Sequence, residues 1–349
     1  MVLIQIVPIK YNRKELSLHK SIIAPEFGKR TVLVSDPWDY IEMWLKRNSQ
    51  SEESIFYWQQ AKSFYEASKN LPLTSSPLTL YYCLLNATKT LLTVKKIPFS
   101  NKHGVFGKSK KRIARLTNEK VMLLTGGILP ALGSYLNEPI LKKEEYSLKY
   151  MLYNLPHIHR AYCLTFSDSE IFIPIKDPKF VKKSNASESW LTFKLDKKYA
   201  NGHTLNKLPK FFGRDFTDSD EATIRYNKKF KWVGKNAETK EASINRLINR
   251  HQRIRKNIFY INGLTRLWYI KKDSLPNIIK HNPMIITFAI MHRLSELSRY
   301  ENMLLYRHLN AQHNWLLTEF IKIAPNQFID EISSEITGEE FMVPGYVKT

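Results

Sequence analysis

IFYWQQAKSFYEASKNLPLTSSPLTLYYCLLNATKTLLTV, residues 55–94, decides the fold. In its first half Tyr57, Ala61, Phe64 and Ser68 recur at i, i+4, i+7 and i+11, the stripe of an amphipathic helix, expected over Glu53–Lys69. Pro72 stops it, because proline has no N–H for the next helical bond. Ser76-Pro77 starts a second helix. There Leu78, Tyr81, Leu85, Thr88 and Leu92 form one stripe, and Leu80, Cys83, Leu84, Ala87 and Leu91 another. A helix apolar on most of its circumference is buried among other helices. Asn86 and Lys89 are its few polar exceptions.

Outward from this block, Ser35-Asp36-Pro37 is a helix start, with a capping side chain followed by proline in the first turn. The helix expected there runs over Pro37–Arg47. Pro283–Tyr300 repeats helical periodicity, and Met303–Ile323 continues it as the same or a second helix, ended by Pro325. Between these lies a different texture. HRAYCLTF, EIFIPI, SWLTFKLD, ATIRYNKKFKWV and NIFYINGLTRLWYI are short runs rich in β-branched and aromatic residues, the composition of strands. Asn262-Gly263 is a hairpin turn signal, the alternative being a place within one longer strand, and 238–252 reads as a basic helix. Residues 98–143, with scattered glycines, read as loop and short helices, and Gly202–Asp220 as a surface loop. The fold class expected is α+β: a mainly helical core formed by N- and C-terminal helices with an inserted antiparallel β-region. Its parts are 1–155 (helical), 156–272 (β-rich insert) and 273–349 (helical, packing on the first).

Charge is the second global signal. The 349 residues hold 54 Lys and Arg against 32 Asp and Glu, a formal +22. Such a field attracts polyanions. It is clustered: residues 95–120 carry nine Lys/Arg and one Glu, and residues 225–256 carry eleven Lys/Arg and two Glu. Two cysteines, Cys83 and Cys163, lie in apolar runs and suit buried thiols in a reducing compartment. No apolar run is long enough to span a bilayer. The N-terminus has its apolar residues before its basic ones, the reverse of a signal peptide. A cytoplasmic protein with no membrane association is expected.

Three features together resemble the YaaC-like family of bacterial proteins of unknown function. They are the helical pair followed by His103-Gly104, the segment TGGILPALGSYL at 125–136, and LSELSRYENM at 294–303. The last contains the family's small-Arg-Tyr-Glu motif, with Asn302 where the family usually has proline. The helical pair is also similar to HEPN domains, in which a later helix carries Arg-x(4–6)-His. That resemblance implies a catalytic pair: histidine moves the 2′-hydroxyl proton of RNA and arginine stabilises the phosphorane charge. Arg307 and His313 match the spacing, as do Arg246 and His251.

Other candidates follow from residue chemistry. The basic loop Lys108, Lys110, Lys111 and Arg112, and the set Arg225, Lys228, Lys229, Lys231, Arg250, Arg253 and Arg255, are expected to hold nucleic-acid phosphates. Tyr226, Phe230 and Trp232, interleaved with the second set, are candidates to stack bases. Arg299, Glu301 and His103 are expected in a structural ion pair or a pocket. His157-x-His159 has no third ligand nearby, and no metal or cofactor is expected. The leading expectation is a basic nucleic-acid-binding or accessory subunit of a bacterial complex, such as an antiphage defence system, with nucleic acid and other protein subunits as partners. The alternatives are a HEPN-type metal-independent RNase and a protein-binding scaffold.

Overall fold

The computed structural model describes residues 6–218, 220, 222–234, 236–263 and 267–343. Four short strands come first: β1 (Ile6–Pro8), β2 (Lys10–Tyr11), β3 (Lys14–Glu15) and β4 (Val32–Leu33). Helices α1 (Pro37–Arg47), α2 (Glu52–Ser68) and α3 (Ser76–Val94) follow. Next are β5 (Val105–Ser109), β6 (Glu119–Leu123), α4 (Ile128–Tyr135), β7 (Glu144–Ser147), α5 (Leu148–Tyr153) and α6 (His159–Phe166). The strand-rich stretch holds β8 (Phe172–Lys183), β9 (Glu188–Leu195), α7 (Gly202–Leu205), β10 (Phe212–Arg214), β11 (Thr223–Tyr226) and β12 (Phe230–Lys231). It closes with α8 (Ala237–Arg255), β13 (Ile258–Ile261) and β14 (Leu267–Lys271). Helices α9 (Pro283–Tyr300), α10 (Asn302–Leu309) and α11 (Asn314–Thr337) precede β15 (Phe341–Met342).

These elements form two compact units. Among the described residues a helical unit takes 33–170, 277–337 and 341–343, and a β unit takes 6–32, 171–276 and 338–340. The first 32 residues therefore belong with the strands rather than with the helices they precede, because β1 pairs antiparallel with β8, Val7 facing Lys182. No helix among the described residues is long and apolar enough to cross a membrane.

In the helical unit the starts are fixed locally. The Asp36 carboxylate accepts the Trp38 N–H at 2.9 Å and Pro37 occupies the first turn of α1. Ser51 caps α2 through the Ser54 N–H, and Asn282 caps α9 through the Met284 N–H. Helix α3 is the buried centre, packed against α2, α9 and α11. Strands β5, β6 and β7 form an antiparallel meander, where the sequence suggested loop and short helices. Alternation in β5 (Val105 and Gly107 buried, Phe106 and Lys108 exposed) is the strand signal that the scattered glycines obscured.

Two further expectations change. HRAYCLTF is helix α6 and not a strand: His159, Tyr162 and Cys163 share its buried side, and Ser167 ends it in the left-handed conformation. Accordingly His157 lies in a 3-10 turn, Pro156–Ile158, rather than at a strand start. Pro325 does not end a helix. It lies inside α11, which continues to Thr337 and buries most of the acidic stretch from 330 on. Packing of that whole turn outweighs the one N–H that proline cannot donate.

The β unit is an antiparallel half-barrel. Its sheet runs β10-β11-β9-β8-β14-β13, with β1 added to β8 and β12 to β9. Asn262 and Gly263 lie in the β13–β14 hairpin connection, whose ladder closes at Ile261 facing Leu267. One face of the sheet, including Ile173, Phe180, Phe193, Ile224 and Ile270, packs on Leu247 and Ile254 of α8. Helix α8 starts with a reciprocal Asn236–Thr239 capping box. The stretch Gly202–Asp220, expected as loop, contains α7 and the edge strand β10. The Gly/Pro-containing C-terminal tail, expected as strand or coil, lies mostly outside the described residues.

Candidate functional site

The helical unit holds a buried polar network centred on Arg293 of α9. Every side chain from Pro283 to Ser295 is buried, so this guanidinium cannot reach water and must be paired within the protein. Its Nε and Nη2 donate to Glu119 Oε2 at 3.0 and 2.7 Å. Nη2 also reaches Ser109 Oγ at 2.7 Å and Glu301 Oε1 at 3.1 Å, while Nη1 reaches Glu296 Oε2 at 3.2 Å. The Arg293 and Glu119 side chains are 3% and 0% exposed. Burial pushes the Glu119 carboxyl up, but hydrogen bonds from His308 and Arg293 outweigh it and hold the group below the ordinary carboxylate range. Glu296 goes the other way, raised by burial despite the Gly107 N–H and Arg293.

A histidine pair extends the network. His308 Nε2 faces Glu119 Oε1 at 3.2 Å and His308 Nδ1 faces His313 Nε2 at 2.9 Å. A carboxylate only accepts, so His308 Nε2 carries the hydrogen of the first contact. Burial, with His308 adjacent, lowers His313 to about 4. A second cluster lies beside it: Tyr81 O–H and His103 Nδ1 are 2.6 Å apart, and His292 packs on both rings. Burial lowers His292 to about 3, and burial with nearby Lys89 lowers His103. His103 is the exposed member.

Backbone geometry explains two sequence motifs. The Gly107 N–H donates to Glu296 Oε1, and a Cβ at Gly107 would sit 2.1 Å from Glu296 Oε2 and 2.2 Å from Arg293 Cδ. Gly104 (φ 78°) packs against Pro130 and Gly127. The Ile128 and Leu129 N–H groups donate to the Lys102 and His103 carbonyls. Two first-turn donors of α4 are thereby used inside the fold, so this glycine loop is built as a joint rather than a phosphate cradle.

The β unit offers a different kind of site, on its surface. Segments 1–32, 171–276 and 338–340 carry 30 Lys and Arg against 14 Asp and Glu, a formal +16; the remaining segments carry 24 against 18, or +6. Near β11 and β12, Arg250 donates to the Lys229 carbonyl at 2.9 Å and Arg246 to the Lys231 carbonyl at 3.3 Å. Both bonds tie α8 to the end of the sheet. The Arg250 guanidinium lies over the Tyr226 ring, and the Lys228 ammonium is 5.6 Å from the centroid of Phe211. Lys228, Lys231 and Arg253 are exposed.

A family model described as YaaC-like Protein matches residues 26–336. The chain belongs to the YaaC-like family. The comparisons with curated proteins and with solved structures find no match. In this YaaC-like chain the three motifs named from sequence meet in the helical unit: Tyr81 bonds His103, the 125–136 segment packs on Gly104, and Ser298 donates to the Thr74 carbonyl between the paired helices.

Several sequence-level candidates take other places than expected. Glu301 is in an ion pair, but with Arg293; Arg299 is exposed and stacks on Tyr300. Arg307 is exposed on α10, whereas His313 is buried in the turn after it, against His308, so the two do not share one helix face. His251, the other spaced histidine, is buried and accepts the His19 N–H. Arg255 cannot face nucleic acid: it is 2% exposed and donates to the carbonyls of Ile258, His19 and Lys20. Tyr226, Phe230 and Trp232 are core residues. Arg225 and Lys229 pair with Asp215 and Glu188 at 3.8 and 3.0 Å. In the other basic set Lys110, Lys111 and Arg112 are exposed, and Lys108 pairs with Glu145 at 3.4 Å.

Sequence reasoning missed Arg293, Glu119, Glu296 and His308. The available signal was a charged residue inside an apolar helical run, MIITFAIMHRL, and a lone glutamate in a basic stretch. Among the described residues no three His, Cys, Asp or Glu side chains are grouped to hold a metal ion.

Proposed function

We propose that this YaaC-like protein binds nucleic acid, as a partner or accessory subunit in a larger bacterial assembly, through the basic surface where β11, β12 and α8 meet. The observation that carries the reading is the uneven charge, +16 on the β-unit segments against +6 on the rest. Exposed Lys228, Lys231 and Arg253 supply about three phosphate contacts. Phosphate contacts release counterions, so the affinity falls steeply with salt. Three contacts to a single strand give a slope of log K against log salt of about −2.

Fluorescence anisotropy of a labelled oligonucleotide between low and physiological salt tests this. The expected result is binding that weakens with that slope. Binding unchanged by salt, or none at low salt, rejects the reading.

A further inference from the structure

The β unit leaves two of its phenylalanines exposed, one on either side of a short edge strand. Phe27, Phe172, Phe180, Phe193, Phe212, Phe230 and Phe259 are all core residues. Among the described residues of this unit, the exposed large apolar side chains are Phe211, Phe216 and Leu267. Phe211 is 47% exposed and Phe216 is 85% exposed. They flank β10, the strand at one edge of the sheet. Exposing a phenyl ring forgoes burial energy, and neither ring completes the core.

Cations accompany Phe211. The Lys228 ammonium lies 5.6 Å from the Phe211 centroid, and Lys210 next to Phe211 is exposed. Phe211 is also held in place. Its carbonyl accepts the Asn227 N–H at 2.7 Å, and its ring packs on Tyr226, which lies under Arg250. A fixed, half-exposed ring beside an ammonium matches a nucleotide, whose flat base is joined to a phosphate through one sugar. In a duplex the base faces are covered by their neighbours, and a phenyl ring finds nothing to stack on. An unpaired strand offers both faces to the ring and its phosphates to the lysines.

We infer that the surface around β10 binds single-stranded nucleic acid, with Phe211 and Phe216 as stacking platforms and Lys210 and Lys228 on the adjoining phosphates. The inference rests on the nucleic-acid reading above and adds the strand state of the ligand. Charge and aromatic exposure favour it over a protein partner, because a purely acidic partner has no use for bare phenyl rings.

The test compares a labelled 20-mer single strand, the same sequence as a duplex, and poly-L-glutamate. The probes are titrated with the full chain and with Phe211→Ala, Phe216→Ala and Phe211→Trp. Expected is tighter binding of the single strand than of the duplex. Each alanine variant weakens single-strand binding by roughly tenfold, the loss of one stacked base. Duplex binding stays unchanged, and Phe211→Trp retains single-strand affinity. Equal, salt-dependent binding of both oligonucleotides, indifferent to the alanine variants, overturns this inference and leaves the nucleic-acid reading standing. Binding of poly-L-glutamate with neither oligonucleotide bound overturns both and assigns the surface to an acidic protein. Circular dichroism and thermal midpoints of the variants, expected unchanged for such exposed rings, exclude misfolding as the cause of a loss.

Discussion

The two units answer their buried charges differently. The helical unit takes a few charges inside, where Arg293 binds three glutamates and a serine. The β unit carries a much larger positive excess, and a cation it buries, Arg255, donates to the backbone carbonyls of Ile258, His19 and Lys20 rather than to a cluster of glutamates. A buried charge must be answered by a partner at hydrogen-bond distance, and removing that partner is expensive. A surface charge is solvated and contributes little to stability. It follows that the helical network is a matter of structure first, whereas the exposed Lys228, Lys231 and Arg253 of the β unit are the cations proposed to meet a ligand.

The comparison breaks most directly at Arg293. Arg293→Met leaves Glu119 buried without its ion pair and is expected to cost about 3–5 kcal/mol in urea unfolding. A loss under about 1 kcal/mol would place the network with ordinary surface pairs. Gly107→Ala comes next. Its Cβ would overlap Glu296 and Arg293, and the overpacking costs roughly 1–3 kcal/mol by the same measurement.

Acid is the third lever. Burial lowers His292 and His157 to about 3 and His313 to about 4, from an ordinary value of 6.5. All three belong to the helical unit. The unfolded chain therefore binds more protons than the folded one between pH 6.5 and about 3–4. Stability from these groups is fully present above pH 6.5 and is lost as pH falls through that window. Glu119, held below its ordinary range, adds to the loss at the acid end. Denaturation midpoints at pH 7.5, 6 and 5 should fall in that order, and His292→Phe should flatten the trend. The smallest effect is expected in the β unit, where Lys228→Gln and Lys231→Gln change stability by no more than about 0.5 kcal/mol.

Much of the fold was legible because periodic signals are local. Helices α1, α2 and α9 lie within a residue of their sequence-based limits, and α3 starts at the Ser76-Pro77 signal, since their caps and prolines stand in the sequence. HRAYCLTF misled because eight residues rich in aromatic and apolar side chains suit strand and helix alike, and tertiary burial of His159, Tyr162 and Cys163 decides. Pro325 misled because a single missing hydrogen bond is outweighed by a buried turn. The candidate sites were less legible. Composition located the basic stretch at 225–256, but it cannot tell an exposed Lys228 from a buried Arg255, or a core Trp232 from an exposed Phe211. Arg293 meets Glu119 across 174 residues, and no local pattern announces such a pair.

The central claim is that the exposed cations of the β unit bind nucleic acid. Anisotropy with a single-stranded oligonucleotide, on the Lys228→Glu/Lys231→Glu/Arg253→Glu variant, tests it most directly. Removing and reversing three phosphate contacts should weaken binding at least tenfold, with the thermal midpoint within a few degrees of the parent. Undiminished binding by this variant would contradict the account.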